Sequence, residues 1–325
     1  MKIASALLLT ALTAANSLAA TLDSDNKYFA VQPGGKIVVD IDFGEIQVST
    51  NASNEVSIEY YRKITGGSED KASEFLAERP VVISQDGNTI TIVSKKKSKL
   101  NWSWPSFKRT EAKYTIRVPS MFSANLNTSG GSIGISDLTG EFKANTSGGG
   151  LNFARLSGPL KADTSGGSIK VLECKGELKV DTSGGGIHVE GGSGNLHGDT
   201  SGGSISVRSF KGDAHVHTSG GGITVENVAG KVVGSTSGGS ISATLPSPLP
   251  GPLNLDTSGG GITLVAPSTA AFHLNASTSA GGVSCELPIT IAGKHERESL
   301  KGDVNGGGPE VMLRTSAGSI KVKKS

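Results

Sequence analysis

The sequence predicts an all-β protein, a parallel β-solenoid of 18-residue repeats preceded by a β-rich N-terminal domain with one short helix, and three observations predict it. Thr-Ser-Gly-Gly recurs at a fixed 18-residue step, apolar residues hold fixed columns within that step, and 46 glycines stand beside only 12 prolines. Glycine this dense without proline suggests many tight turns, not disorder or collagen. With 35% apolar residues, any core must be thin and aliphatic, as in a stack of short rungs.

The chain opens with Met1-Lys2, an apolar run from Ile3 to Ala15 and the small-residue stretch Ser17-Leu18-Ala19-Ala20. This is the layout of a secretory signal peptide over residues 1–20, and it implies a periplasmic, cell-surface or secreted protein. After cleavage no transmembrane segment is expected, because no later stretch approaches the roughly 18 apolar residues that a span needs. No Cys follows the cleavage region to carry a lipid. A net charge of +2 gives no basis for expecting a nucleic-acid partner.

Residues 21–120 form the N-terminal domain. Alternating or β-branched runs at 36–42, 45–48, 56–60, 81–83, 89–93 and 114–118 read as strands. A helix is expected from Ser68 to Glu78, with Ser68 as cap, Glu69 and Asp70 at the positive end and Pro80 as the stop. This domain is expected to cap the solenoid, since an open sheet end invites edge pairing.

Residues 121–325 carry the repeat. Units begin at Thr128, Thr146, Thr164, Thr182, Thr200, Thr218 and Thr236, then at Thr257, and return as Thr-Ser-Ala-Gly at Thr278 and Thr315. These threonines are the expected structural corners. Apolar residues fall five and seven places after each Thr, as in Ile169 and Val171, with a polar residue between. A second apolar column precedes the Thr, at Phe142, Leu160, Leu178, Leu196 and Val232. Each unit therefore holds two short strands with one buried face. Between them Gly140, Gly158, Gly176, Gly194, Gly212 and Gly230 mark a second corner, expected to have positive φ.

The residue after the two glycines alternates: Ser132, Gly150, Ser168, Gly186, Ser204, Gly222, Ser240, Gly261. Either one coil holds 36 residues or an 18-residue coil was duplicated in pairs, and both readings stand. The Pro-rich insertion 245–252 replaces a corner, and 289–310 reads as an irregular loop before the final strand.

The stretch Leu126-Asn-Thr-Ser-Gly-Gly-Ser-Ile133 after a β-domain ending in Val118-Pro119, the repeats, and the closing Leu300-Lys-Gly-Asp-Val-Asn-Gly-Gly-Gly308 with Thr315-Ser-Ala-Gly-Ser-Ile320 resemble the bacterial "putative adhesin" family of exported β-strand-repeat domains of unknown function. The resemblance implies an exported envelope protein and supplies no catalytic residues.

The leading binding candidate is the segment Lys95 to Arg109. It gathers Lys95, Lys96, Lys97, Lys99, Lys108 and Arg109 with Trp102, Trp104 and Phe107, and it contains no acid. Such a segment suits an envelope glycan stacked on Trp, an anionic lipid surface or another envelope protein; the competing reading is a hairpin whose Trp side chains plug the solenoid end. Four histidines, His188, His197, His215 and His217, sit at outward columns and read as a solvated face with no metal. Asp163, Asp181, Asp199 and Asp256 precede their threonines without the spacing of a calcium β-roll, and are expected to bond corner N–H groups. Cys174 and Cys285 stand about six repeats apart in apolar columns, so no disulfide is expected.

The function these features predict is a non-catalytic envelope or surface protein, an adhesin or binding scaffold, without cofactors. A carbohydrate-active enzyme, a polysaccharide lyase or hydrolase, is the alternative; it needs paired carboxylates on variable loops, where Glu296, Arg297 and Glu298 are the candidates. A weaker alternative is an ice- or mineral-ordering face built on Thr/Ser ladders.

Overall fold

The computed structural model describes residues 20–96, 107, 109–291 and 296–325. The expected leader and Lys97, Lys99, Trp102, Trp104 and Lys108 lie outside the described residues. Two sheets, of 14 and 15 strands among the described residues, face each other across one thin core. Each rung gives one strand to each sheet, as Phe142–Thr146 and Leu151–Ala154 do. Phe142 stands beside Leu160 and Leu151 beside Ile169 in parallel register, so one coil is 18 residues and the 36-residue reading falls. Side chains alternate as the pleat requires: Leu151 and Phe153 are buried while Asn152 is exposed.

The Ser/Gly alternation has its cause between coils. Ser132 Oγ accepts from Gly150 N at 3.3 Å, Ser168 from Gly186 at 3.2 Å, Ser204 from Gly222 at 3.2 Å and Ser240 from Gly261 at 3.3 Å. On its other side each glycine is crowded: a Cβ on Gly186 would stand 2.9 Å from the Ser204 carbonyl. Serine and glycine are thus complementary neighbours, and coils associate in pairs.

The two glycines of Thr-Ser-Gly-Gly differ in the same physical way. A Cβ on Gly149 would meet the Gly131 carbonyl oxygen at 2.0 Å, whereas one on Gly148 would meet nothing nearer than 3.8 Å. The degenerate corners follow this: Ala280 and Ala317 replace the roomy glycine, and Gly281 and Gly318 keep the crowded one. At the opposite corner Gly158, Gly176, Gly194 and Gly212 have φ between 125° and 131°, but Gly140 and Gly230 do not have positive φ. Gly230 is instead required by contact, its Cβ falling 2.2 Å from the Gly212 carbonyl. A positive-φ column that composition did not reveal runs through Asp137, Arg155, Glu173, Ser209 and Asn227. Backbone bonds to the next coil hold it, such as Arg155 N to Leu172 O at 2.8 Å.

At the N-terminal end, the rung Gly35–Ile41 and Glu45–Asn51 lies between two others. Phe122–Thr128 and Ile133–Ser136 stack on one side, Thr89–Ser94 and Arg109–Pro119 on the other. Antiparallel strands then finish both sheets: Glu55–Thr65 and Ala20–Ala30 on one, Val82–Asp86 on the other. Ala20–Ala30 was not legible as a strand because it is an edge, largely solvated, with Asp23, Asp25 and Lys27 where an alternation would need apolar residues. The helix is Glu69–Ala77, with the Ser68 side chain accepting from Lys71 N. Its Ala72, Phe75 and Leu76 pack on Phe43 and Ile64. Arg62, buried, donates to Asp23 and to the Arg79 carbonyl, tying the strand to the end of the helix.

At the C-terminal end, rung order departs from chain order. The last coil, Glu310–Thr315 and Ile320–Lys324, lies between Leu253–Thr257 with Ile262–Ala266 and Phe272–Thr278 with Val283–Cys285. The expected irregular loop 289–310 is in part regular: Ile289–Ile291 and Ser299–Val304 are antiparallel strands, the latter on Phe272–Thr278. Glycines and charges obscured them, yet Leu300 and Val304 alternate into the core.

Candidate binding groove

Thr89–Ser94 and Arg109–Pro119 lie in the same two sheets, in the same order, as the strands before and after each Thr-Ser-Gly-Gly corner. Lys95, directly after the first of these strands, therefore stands at the head of the column of corners. Along that column runs an open groove of about 720 Å³, and Lys95 contributes to its wall. One wall carries Asn127, Asn145, Asp163, Asp181, Asp199 and His217; the other carries the six serines from Ser129 to Ser219 at 18-residue steps. Six rungs at about 4.8 Å give a length of about 24 Å.

The threonines between these walls are taken up by the fold. Thr146, Thr164, Thr182, Thr200, Thr218 and Thr236 are buried, and each hydroxyl donates to a glycine carbonyl of the preceding coil at 2.7–2.9 Å. The same oxygen accepts from its own corner, as from Gly149 N at 3.3 Å. Thr257, Thr278 and Thr315 repeat the donation at 2.7–2.8 Å, while Thr128 reaches Gly44 O at 3.2 Å. Other corner amides bond backbone, such as Gly148 N to Ser129 O. The Thr hydroxyls satisfy corner N–H groups in place of the expected aspartates, of which Asp163, Asp181 and Asp199 line the groove instead.

Three carboxylates in register make the middle of the groove acidic. Burial holds the Asp181 carboxyl above its ordinary value of 3.8; Asp163 and Asp199 push it further, against the opposite pull of Lys179 and His197. Asp199 pairs with His197 at 2.8 Å, and the His197 and His215 rings lie 5.5 Å apart. His217 Nδ1 meets Ser235 Oγ at 2.9 Å, and His188 faces Glu190 at 3.5 Å. Among the described residues no group of three or more His, Cys, Asp or Glu is placed to hold a metal ion.

Of the described candidates at the head of the groove, Lys95 pairs with Asp40 at 2.8 Å and Lys96 with Glu78 at 3.5 Å. Arg109 pairs with Glu111 at 2.5 Å. Phe107 is a packing residue: it stands edge-on to Phe75, 5.5 Å between centroids, against the helix. Glu296, Arg297 and Glu298 are exposed, but their backbone closes the last rung, Thr278 N bonding Glu298 O at 2.9 Å and Val283 N bonding Arg297 O at 3.0 Å. Both thiols are free, Cys174 buried and Cys285 half-buried, and burial raises the pKa of each. Sequence reasoning missed Asn127, Asn145 and the serine wall, although the 18-residue column already held them.

Among solved structures the chain is similar to a "putative adhesin" from Bacteroides fragilis, at 14% identity over 93% of this chain and 97% of that one, TM-score 0.33. A "putative adhesin" from Parabacteroides merdae aligns at 13% identity over 93% and 96%, TM-score 0.36. A "putative lipid binding protein" from Parabacteroides distasonis aligns at 11% identity over 93% and 97%, TM-score 0.26. No curated protein matches the sequence. No helix among the described residues is long and apolar enough to cross a membrane. The family model for the Toastrack domain DUF4097 matches residues 35–323, nearly the whole repeat array and the strands before it, and the chain belongs to that family.

Proposed function

We propose that this protein is an exported, non-catalytic binding protein of the bacterial envelope whose corner groove takes an extended, uncharged glycan. The groove itself carries the reading: hydroxyl, amide and carboxylate groups recur on its two walls at the spacing of the rungs, and Lys95 stands at its head. Such a surface offers a hydroxylated polymer the same donors and acceptors at every step. The repeat of these groups, about 4.8 Å from rung to rung, suits a polymer whose own unit is short and regular. Lys95 places positive charge at the groove, and the sequence that follows it holds Trp102 and Trp104, a residue type suited to stacking on sugar rings. The acidic middle repels polyanions, which favours a neutral glycan there over a lipid headgroup.

A hydrolase needs two carboxyl groups flanking the scissile bond. Here Asp163, Asp181 and Asp199 share one wall and serines form the other, an arrangement that holds a chain without cutting it. An ice-ordering face is disfavoured because the threonines are buried.

The test is binding of the mature protein to a panel of neutral and anionic envelope glycans and to anionic vesicles. Two variants accompany it: Ser165→Trp with Ser183→Trp, which fills the groove, and Ser at Lys95, Lys96, Lys97, Trp102 and Trp104. A neutral glycan that binds the wild type, fails on the groove-filled variant and is recovered uncut supports the reading. Vesicle binding alone, lost only in the second variant, replaces the groove with a membrane-facing segment. Shortening of the bound polymer would establish an enzyme.

A further inference from the structure

The last coil enters the stack between two coils that precede it in the chain, and both of its neighbours in each sheet are parallel to it. Up to Ala266, from Phe122 onward, each coil lies directly on the one before it. The coil Phe272–Cys285 then skips one place, and residues 310–324 fill the gap after the hairpin of Ile289–Ile291 and Ser299–Val304. Before they arrive, the gap presents four open parallel edges, two in each sheet, above an uncovered core. The incoming segment buries Val311, Leu313, Ile320 and Val322 there and bonds Thr315 Oγ1 to Gly260 O at 2.7 Å.

The gap also selects its occupant. In chain order the alternating position reads Gly261, Gly282, Ser319, which breaks the rule; in space it reads Gly261, Ser319, Gly282, which restores it. Ile262 N bonds Ser319 O and Ile320 N bonds Gly282 O, both at 3.0 Å. The incoming coil requires glycine at 261, where a Cβ would stand 2.9 Å from the Ser319 carbonyl, and its own Ser319 keeps the alternation. The segment that keeps the alternation is residues 310–324. It is joined to the hairpin through Asn305, Gly306 and Gly307, all at positive φ, a largely exposed turn whose Asn305 side chain donates to Ser268 O and Ala270 O and which must open for the coil to leave.

From this we infer a strand-acceptor site: the gap between residues 253–266 and 272–285 accepts the C-terminal coil of a second copy of this chain as well as its own, linking copies by exchange. Nothing in the gap distinguishes the two donors, because the recognising features are backbone edges, four apolar side chains and one serine-type corner. Exchange of an identical element between copies is a low-cost route to association. The exchange is independent of what the groove binds.

Asn254 and Met312 are register partners at the outer surface of this junction, at a separation suited to a disulfide between parallel neighbours. In full-length chains carrying Cys174→Ala and Cys285→Ala, one copy bears Asn254→Cys and the other Met312→Cys, and the two are co-expressed with export to an oxidising compartment. The expected result is a reducible two-chain species that neither copy yields alone. A single chain with both substitutions is the control and should close within itself. Closure of the control with no two-chain species from the mixture confines the coil to its own chain and overturns the inference. Failure of the control to close overturns the rung order on which it rests.

Discussion

At both ends of the stack a rung lies between neighbours that precede it in the chain, but those neighbours differ in direction. At the N-terminal end the strands Thr89–Ser94 and Arg109–Pro119 enter between the rung Gly35–Asn51 and the earlier strands Val82–Asp86 and Glu55–Thr65. At the C-terminal end the rung 310–324 comes last and enters between two standing neighbours. A static picture makes the ends look alike. Their pairing differs: the outer partners of Thr89–Ser94 and Arg109–Pro119 are antiparallel, whereas the rung 310–324 has parallel neighbours on both sides in both sheets.

The sharpest break of this comparison is to shorten each end. Ending the chain at Gly308 removes four fully buried apolar side chains, worth about 6–12 kcal/mol at about 1.5–3 kcal/mol each. Beginning it at Val31 removes an edge strand whose side chains are mostly exposed, at a cost of about 1–3 kcal/mol. Chemical denaturation of the two truncated chains should therefore differ severalfold in stability lost, and equal losses would refute the keystone role of the last coil.

Within the regular rungs the next largest contrast is between adjacent glycines. Gly149→Ala drives a Cβ into the Gly131 carbonyl and should lose more than about 2 kcal/mol. Gly148→Ala has room and should be neutral or gain about 0.4–1 kcal/mol by restricting the unfolded chain. Thermal melts of the pair decide it; similar losses would mean that the corner does not pack as described. The Thr182 hydroxyl bridges Gly167 O and Gly185 N, so Thr182→Val should lose about 1–3 kcal/mol, and Ser183→Ala on the groove wall almost nothing.

The smallest effect concerns acidity. The folded-state pKa of Asp181 is raised, so its protonated form favours the fold below 3.8 and that favour disappears as pH rises through the folded value. Asp181→Asn should melt slightly higher than wild type at neutral pH, with the difference closing on acidification. A variant that melts lower at neutral pH would show that the carboxylate is stabilising and has a partner.

How far the sequence led follows from where the physics repeats. The strands, the corners and the helix were legible because columns of Ile, Val and Gly recur or because Ser68 and Pro80 mark boundaries. The alternation was noticed up to Gly261, but its continuation through Ser319 and Gly282, which encodes the inserted rung, needed the spatial order. Ala20–Ala30 escaped because an edge strand is not obliged to be apolar. Phe107 looked like a surface contact because composition does not show that helix Glu69–Ala77 passes beside it. The groove was hidden for another reason: polar columns were weighed one residue type at a time, while its wall mixes Asn, Asp and His at one structural position.

The pairing of serine and glycine coils also limits how such a molecule changes in length. Deleting a single 18-residue unit from the middle would bring two serine-type or two glycine-type coils together. One seam would set a serine side chain against the carbonyl where only glycine fits, and the other would leave an amide without its hydroxyl. Removing two units together leaves every junction as before. The stack is thus a ruler graduated in steps of about 9.6 Å, twice the strand spacing, and relatives of different length should differ by even numbers of coils.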